Sequence, residues 1–63
     1  MEEYFKYYPP VLSVDEVAEI LSITPKTVRN LIKSGEITGI RVGRLLRIPK
    51  YRLVQYLKGG RDL

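Results

Sequence analysis

The chain has 63 residues and a formal net charge of +4, and it contains neither cysteine nor histidine. A disulfide, a thiolate zinc site and histidine-based acid–base catalysis are therefore excluded. A chain this short buries only about 60% of the surface that its unfolded form exposes, so its core is small and its function must use the surface. We accordingly predict a single domain that is not an enzyme and requires neither a cofactor nor a metal.

Charge is distributed unevenly along the chain. Residues 1–23 hold one lysine and five acidic residues, whereas residues 24–58 hold nine basic residues and one glutamate. This asymmetry favours a polyanionic partner such as nucleic acid, because neutralised phosphates release counterions, although a solvated basic surface is the alternative. No apolar stretch is long enough to span a bilayer, and Glu2 and Glu3 stand where a secretory signal would be basic. We expect a cytoplasmic protein with no membrane partner.

Residues 1–12 are predicted to form an aromatic tail. The tail contains Pro9-Pro10, which breaks helices and favours an extended path into the domain. We expect its aromatic residues to cover the small core, and a self-association surface is the alternative; these residues are Tyr4, Phe5, Tyr7 and Tyr8. The domain itself is predicted over 13–58, followed by a C-terminal tail over 59–63.

Two short helices are predicted after the tail. Ser13 and Glu16 have the spacing of a capping box, so the first helix is expected to begin there. Thr24 is a good N-cap and Pro25 stands at the first helical position, which predicts a second helix over 24–34, with Gly35 ending it. Each helix has one apolar stripe at helical spacing: Val14, Val17, Ala18 and Leu21 in the first, and Val28, Leu31 and Ile32 in the second. Two helices joined by so short a turn are typical of a helix-turn-helix.

The pattern changes to alternation over 40–48. Gly43-Arg44 separates two short apolar runs and suits a type II′ turn, so we predict a two-stranded hairpin that forms a wing. Pro49 is expected to stop the second strand and open a last helix, which ends at Gly59-Gly60. The predicted fold is a winged helix-turn-helix, mainly α, with three short helices and a two-stranded wing.

The second helix and the wing carry the candidate binding residues. Lys26, Asn30 and Lys33 lie opposite the apolar stripe, where lysine and asparagine can bind base edges and threonine can meet a phosphate or a thymine methyl. The wing arginines can reach a DNA backbone or minor groove, although arginine also protects edge strands from aggregation. The predicted set is Thr24, Pro25, Lys26, Thr27, Arg29, Asn30 and Lys33 on the helix, and Arg41, Gly43, Arg44 and Arg47 in the wing. Lys50, Arg52 and Lys58 are expected to be solvated, and a phosphate contact is the alternative.

In the order and spacing of these elements, residues 12–57 resemble the excisionase-type helix-turn-helix domain, a relative of MerR regulators. The matching pieces are 12–21, 23–28, 31–37, 40–44, 47–49 and 53–57. The resemblance implies that helix 24–34 enters the major groove of double-stranded DNA and that wing 40–48 lies on the backbone or minor groove. It makes Thr24, Lys26, Thr27 and Asn30 groove residues, and Arg41 and Arg44 wing contacts. This chain departs from the family pattern at Ser22, where glycine is common, at Leu46, where an aromatic is common, and at Lys50, where an acidic residue is common.

The resemblance implies an accessory DNA-binding role in a mobile element. We favour an excisionase-like recombination directionality factor, with a tyrosine integrase as its protein partner. A small transcriptional regulator is the alternative within the same class. A protein-interaction adaptor that uses the aromatic tail is the alternative from another class. A chain this short has no room for the dimerisation helix and effector domain of longer members, so we expect a monomer that binds repeated DNA sites side by side.

Overall fold

The computed structural model describes residues 6–59, which form three helices and one small antiparallel sheet. The elements in chain order are β1 Val11–Ser13, α1 Val14–Leu21, α2 Pro25–Lys33, β2 Ile40–Val42, β3 Leu45–Pro49 and α3 Lys50–Leu57. This order confirms the predicted winged helix-turn-helix. No helix among the described residues is both long and apolar enough to cross a membrane.

The two helices of the helix-turn-helix begin as their capping residues predict. The Ser13 hydroxyl accepts a hydrogen bond from the Glu16 backbone at 3.1 Å, and the Ser13 backbone N–H donates to the Glu16 carboxylate at 2.8 Å. The Thr24 hydroxyl accepts from the Thr27 backbone N–H at 3.2 Å, and Pro25 follows it at the first helical position. These side chains satisfy backbone donors that have no partner inside a helix.

The sheet has three strands, whereas the sequence predicted two. β3 lies between β1 and β2, and β1 pairs with β3 so that Leu12 stands opposite Ile48. β1 is only three residues long and directly follows the diproline, so no alternation of apolar and polar residues marks it. Residues 11 and 12, expected to belong to the tail, therefore extend the sheet, and the side chain of Leu12 is completely buried.

One apolar core joins the helix-turn-helix to the sheet. The fully buried side chains come from every part of the described chain except β2: Leu12, Val17, Val28, Ile37, Ile48 and Leu53. Each such side chain stabilises the fold by about 1.5–3 kcal/mol relative to its exposed state. Because Val28 on α2 and Ile48 on β3 belong to the same core, the orientation of the wing relative to α2 is fixed.

The predicted aromatic cover of the core is only partly correct. Tyr8 packs against the core, whereas the Tyr7 side chain is 88% exposed, so the expectation is wrong for Tyr7. The Tyr8 carbonyl accepts a hydrogen bond from the Lys50 ammonium at 3.0 Å, which attaches the start of α3 to the N-terminal segment. Lys50 was expected to be solvated and is instead half-buried and bonded. Tyr4 and Phe5 lie outside the described residues.

Candidate nucleic-acid interface

The exposed face of α2 carries every long polar side chain of that helix. Lys26, Thr27, Arg29, Asn30 and Lys33 are all exposed, while Val28 is completely buried against the core. Leu31 and Ile32 pack at the edge of the core, and the polar side chains lie on the opposite face of α2. The helix thus presents cationic and amide groups outward, which is the arrangement predicted from its spacing.

Most of these α2 side chains make no polar contact within residues 6–59. The exception is Thr27, whose hydroxyl lies 2.9 Å from the Thr24 hydroxyl. The Thr24 hydroxyl therefore serves as the N-cap of α2. The amide of Asn30 and the ammonium groups of Lys26 and Lys33 keep their full hydrogen-bonding capacity.

The wing is a tight hairpin whose tip projects an arginine. Val42 pairs with Leu45, which leaves Gly43 and Arg44 as a two-residue turn. Gly43 has a φ of +62°, a conformation that the turn requires and that residues with a β-carbon rarely adopt. Arg44 is exposed at this tip.

The register of the wing separates its side chains into two faces. Arg41 pairs with Leu46, so both lie on the face of the hairpin that carries the buried Ile48, but Arg41 itself is exposed. Ile40 pairs with Arg47 on the opposite face. Arg47 is half-buried and donates a hydrogen bond to the Leu46 carbonyl at 3.1 Å, so part of its guanidinium is already used. Arg41 and Arg44 are the wing arginines with the greatest freedom to bind a ligand.

An open cleft of about 360 Å³ lies between the helix-turn-helix and the wing. Its lining combines one arginine of α2 with all three predicted wing arginines: Arg29, Arg41, Arg44 and Arg47. The rest of the lining consists of Leu45 and Leu46 of β3, together with Ser13, Val14 and Asp15 at the start of α1. The structure therefore brings Arg29 together with the wing, although these residues are separated in sequence. The cleft lining does not include Lys26, Asn30 or Lys33.

Sequence reasoning missed two features of this surface. Asp15 lies in the cleft among the arginines, but the sequence indicated only that it suits a helix start. Val42 and Leu45 flank the wing tip with more than half of each side chain exposed, at 56% and 54%. The alternation of residues in the sequence indicated two strands, but it did not indicate which face of the hairpin is exposed to solvent.

The basic helix face, the arginine wing and the core that joins them define a winged helix-turn-helix protein, an architecture in which a helix enters the major groove. The profile of the helix-turn-helix domain family matches residues 11–61, more than three quarters of the chain. The chain therefore belongs to the helix-turn-helix domain family.

Two curated proteins are similar to most of the described domain. A probable excisionase of Saccharopolyspora erythraea is 39% identical over 46 residues, which cover 73% of this chain and 47% of that protein. The uncharacterized protein YvgK of Bacillus subtilis (strain 168) is 41% identical over 44 residues, which cover 70% of this chain and 14% of that protein. The chain thus spans less than half the length of either relative.

Proposed function

We propose that this protein binds double-stranded DNA in a sequence-specific manner, with α2 in the major groove and the wing on the adjacent backbone or minor groove. One observation carries the proposal. Arg29 belongs to the exposed face of α2 and lines the same cleft as Arg41 and Arg44, so the exposed helix face continues into the arginine-lined wing. The family and the relative named an excisionase support a DNA-binding rather than a catalytic role.

Each part of this surface has a distinct task on DNA. The major groove, about 12 Å wide, admits an α-helix, and there asparagine can bind adenine while lysine can bind guanine. Asn30 and Lys26 supply these groups from α2, and Lys33 extends the cationic face. Arginine is favoured in a narrow minor groove because the potential there is strongly negative, which suits Arg44 at the wing tip. Base contacts thus come from α2, and backbone contacts come chiefly from the wing.

We further propose that the biological role is excisionase-like. The support is the probable excisionase of S. erythraea, which shares 39% identity over 46 residues of this chain. In this role, the protein would bind repeated sites side by side, bend attachment-site DNA and act beside a tyrosine integrase of a mobile element. A transcriptional regulator with the same DNA-binding mode would instead occupy sites that overlap a promoter.

Selection from a random duplex pool, followed by affinity measurements over a salt series, tests DNA binding. We expect a recovered motif, an affinity for it far above that for random duplexes, and a steep decrease of affinity with salt because several phosphates are neutralised. No enrichment, together with weak binding that moderate salt abolishes, would contradict sequence-specific binding. Recombination assays on the recovered sites then separate the excisionase role, which requires an effect on excision, from the regulator role.

An adaptor function is the second candidate, and the exposed Tyr7 ring is the observation that favours it. Tyr7→Ser removes this aromatic side chain while leaving Tyr8 packed against the core. Under the DNA-binding proposal, duplex affinity is unchanged in this variant. Loss of a protein partner with no effect on DNA would support the adaptor function, whereas a loss of duplex affinity would place Tyr7 at the DNA interface.

A further inference from the structure

The cleft between the helix-turn-helix and the wing contains one acidic residue among four arginines. The lining has a formal charge of +3, which results from Arg29, Arg41, Arg44 and Arg47 together with Asp15. Asp15 therefore lines a cationic cleft and forms no ion pair with these four arginines within residues 6–59.

The cleft suits a phosphodiester of the DNA backbone. Guanidinium groups bind phosphate oxygens through two parallel hydrogen bonds, and the arginines that line the cleft come from both α2 and the wing. The cleft is open to solvent, and its volume of about 360 Å³ leaves room for a phosphate with part of its sugar. A strand that leaves the major groove at α2 and passes toward the wing would cross this position.

Asp15 is not needed for the cap of α1. The capping box uses the Ser13 hydroxyl and the Glu16 carboxylate, and both bonds are present without Asp15. Asp15 is exposed in the first turn, where its charge interacts favourably with the helix dipole. Asp15 also lines the cleft, so its negative charge disfavours an anion bound there.

We infer that the arginine cleft binds one backbone phosphate and that Asp15 weakens this contact. The weaker contact lowers the affinity for DNA of any sequence, so base contacts by α2 contribute a larger share of the binding free energy. This inference rests on the proposed DNA-binding function. Asp15 is then a specificity-determining residue that acts by repulsion, because phosphate contacts supply most of the non-specific affinity while base contacts discriminate among sequences.

The test compares Asp15→Asn with Glu19→Gln. Both substitutions remove one negative charge from α1, but Glu19 is exposed and lies outside the cleft lining. Affinity for a random-sequence duplex is measured for each variant over a salt series. We expect Asp15→Asn to bind about three- to tenfold more tightly, with a salt slope steeper by about one, and Glu19→Gln to change affinity by less than about twofold. Asp15→Glu keeps the charge and should retain the wild-type slope.

Thermal melting of the free proteins shows whether the variants remain folded. A slightly lower melting temperature for Asp15→Asn, together with tighter binding, supports the inference because a merely structural role would not increase affinity. Equal effects of Asp15→Asn and Glu19→Gln in a chain that binds DNA would overturn only this inference, since net charge alone would explain them. Failure of the wild-type protein to bind any duplex at low salt would overturn both this inference and the proposed function.

Discussion

Gly39 lies against Ile32 so closely that a β-carbon on Gly39 would be 2.8 Å from the Ile32 Cγ2 atom. The same β-carbon would be 3.2 Å from the Leu46 Cδ1 atom. Ile32 belongs to α2 and Leu46 to β3, so the backbone at Gly39 lies between α2 and the wing. Any side chain at this position would change the distance between the two elements proposed to bind DNA.

Gly39→Ala should therefore lower the free energy of unfolding. Ile32 is β-branched and has little rotamer freedom in a helix, so the clash cannot be relieved by a small side-chain rotation. We expect a loss of about 1–3 kcal/mol, measured by urea denaturation. Thr38→Ala, at the exposed neighbouring position, should change stability by less than about 0.5 kcal/mol. Wild-type stability for Gly39→Ala would show that α2 and the wing can separate freely.

Ser22→Gly should stabilise the fold. Ser22 has a φ of +57° and is the one residue other than glycine with a positive φ in the described range. Its side chain is exposed, so replacement by glycine removes backbone strain and loses little packing. We expect a gain of about 0.5–1 kcal/mol in the free energy of unfolding. Ser34→Gly is the matched control, since Ser34 has a φ of −79° and its hydroxyl bonds the Leu31 carbonyl; it should destabilise the protein.

Arg44→Ala should weaken binding to all duplexes to a similar extent. Arg44 is exposed at the wing tip and makes no polar contact within the described part of the chain, so its guanidinium is available to the DNA backbone. Loss of one phosphate contact should reduce the salt slope by about one unit. Lys58→Ala removes the same charge from an exposed position after α3 and should leave the slope unchanged. An equal reduction in both variants would argue against a specific role for the wing.

Asn30→Ala should instead relax sequence preference at one base pair. The free amide of Asn30 can form two hydrogen bonds to adenine, so its removal should cost about 1–3 kcal/mol at the selected site and little on random DNA. The measurement is affinity for a panel of duplexes that vary each base of the recovered motif. Gln55→Ala, which removes an exposed amide from α3, is the control and should not alter the pattern. A uniform loss across the panel for Asn30→Ala would contradict its assignment to the major groove.

The sequence predicted those parts of the fold that depend on local rules. The capping box at Ser13, the cap at Thr24 and the turn at Gly43 each require residues within three or four positions, and all are present. β1 was missed because its pairing partner is β3, more than thirty residues later, and its three residues show no strand pattern. Tyr7 and Tyr8 are adjacent and chemically identical, yet only Tyr8 packs against the core.

The exposed face of α2 could be predicted because helical spacing alone separates the apolar stripe from the polar residues, which are Lys26, Thr27, Arg29, Asn30 and Lys33. Their relation to the wing could not be predicted in the same way. Asp15 and Arg41 line one cleft only because β1, β3 and the core bring the start of α1 beside the hairpin. The Lys50 side chain likewise finds its partner, the Tyr8 carbonyl, through the tertiary fold.

The surface that contacts DNA is measured most directly by NMR titration of the isotope-labelled protein with the selected duplex. We expect the largest backbone amide shifts in residues 24–33 and 41–47, with residues 50–57 nearly unaffected. With a duplex of scrambled sequence, the amide shifts in α2 should become much smaller, whereas the amide shifts in the wing should decrease less. Shifts concentrated in residues 6–10 and 50–57, with α2 unperturbed, would contradict the assignment of α2 as the recognition helix.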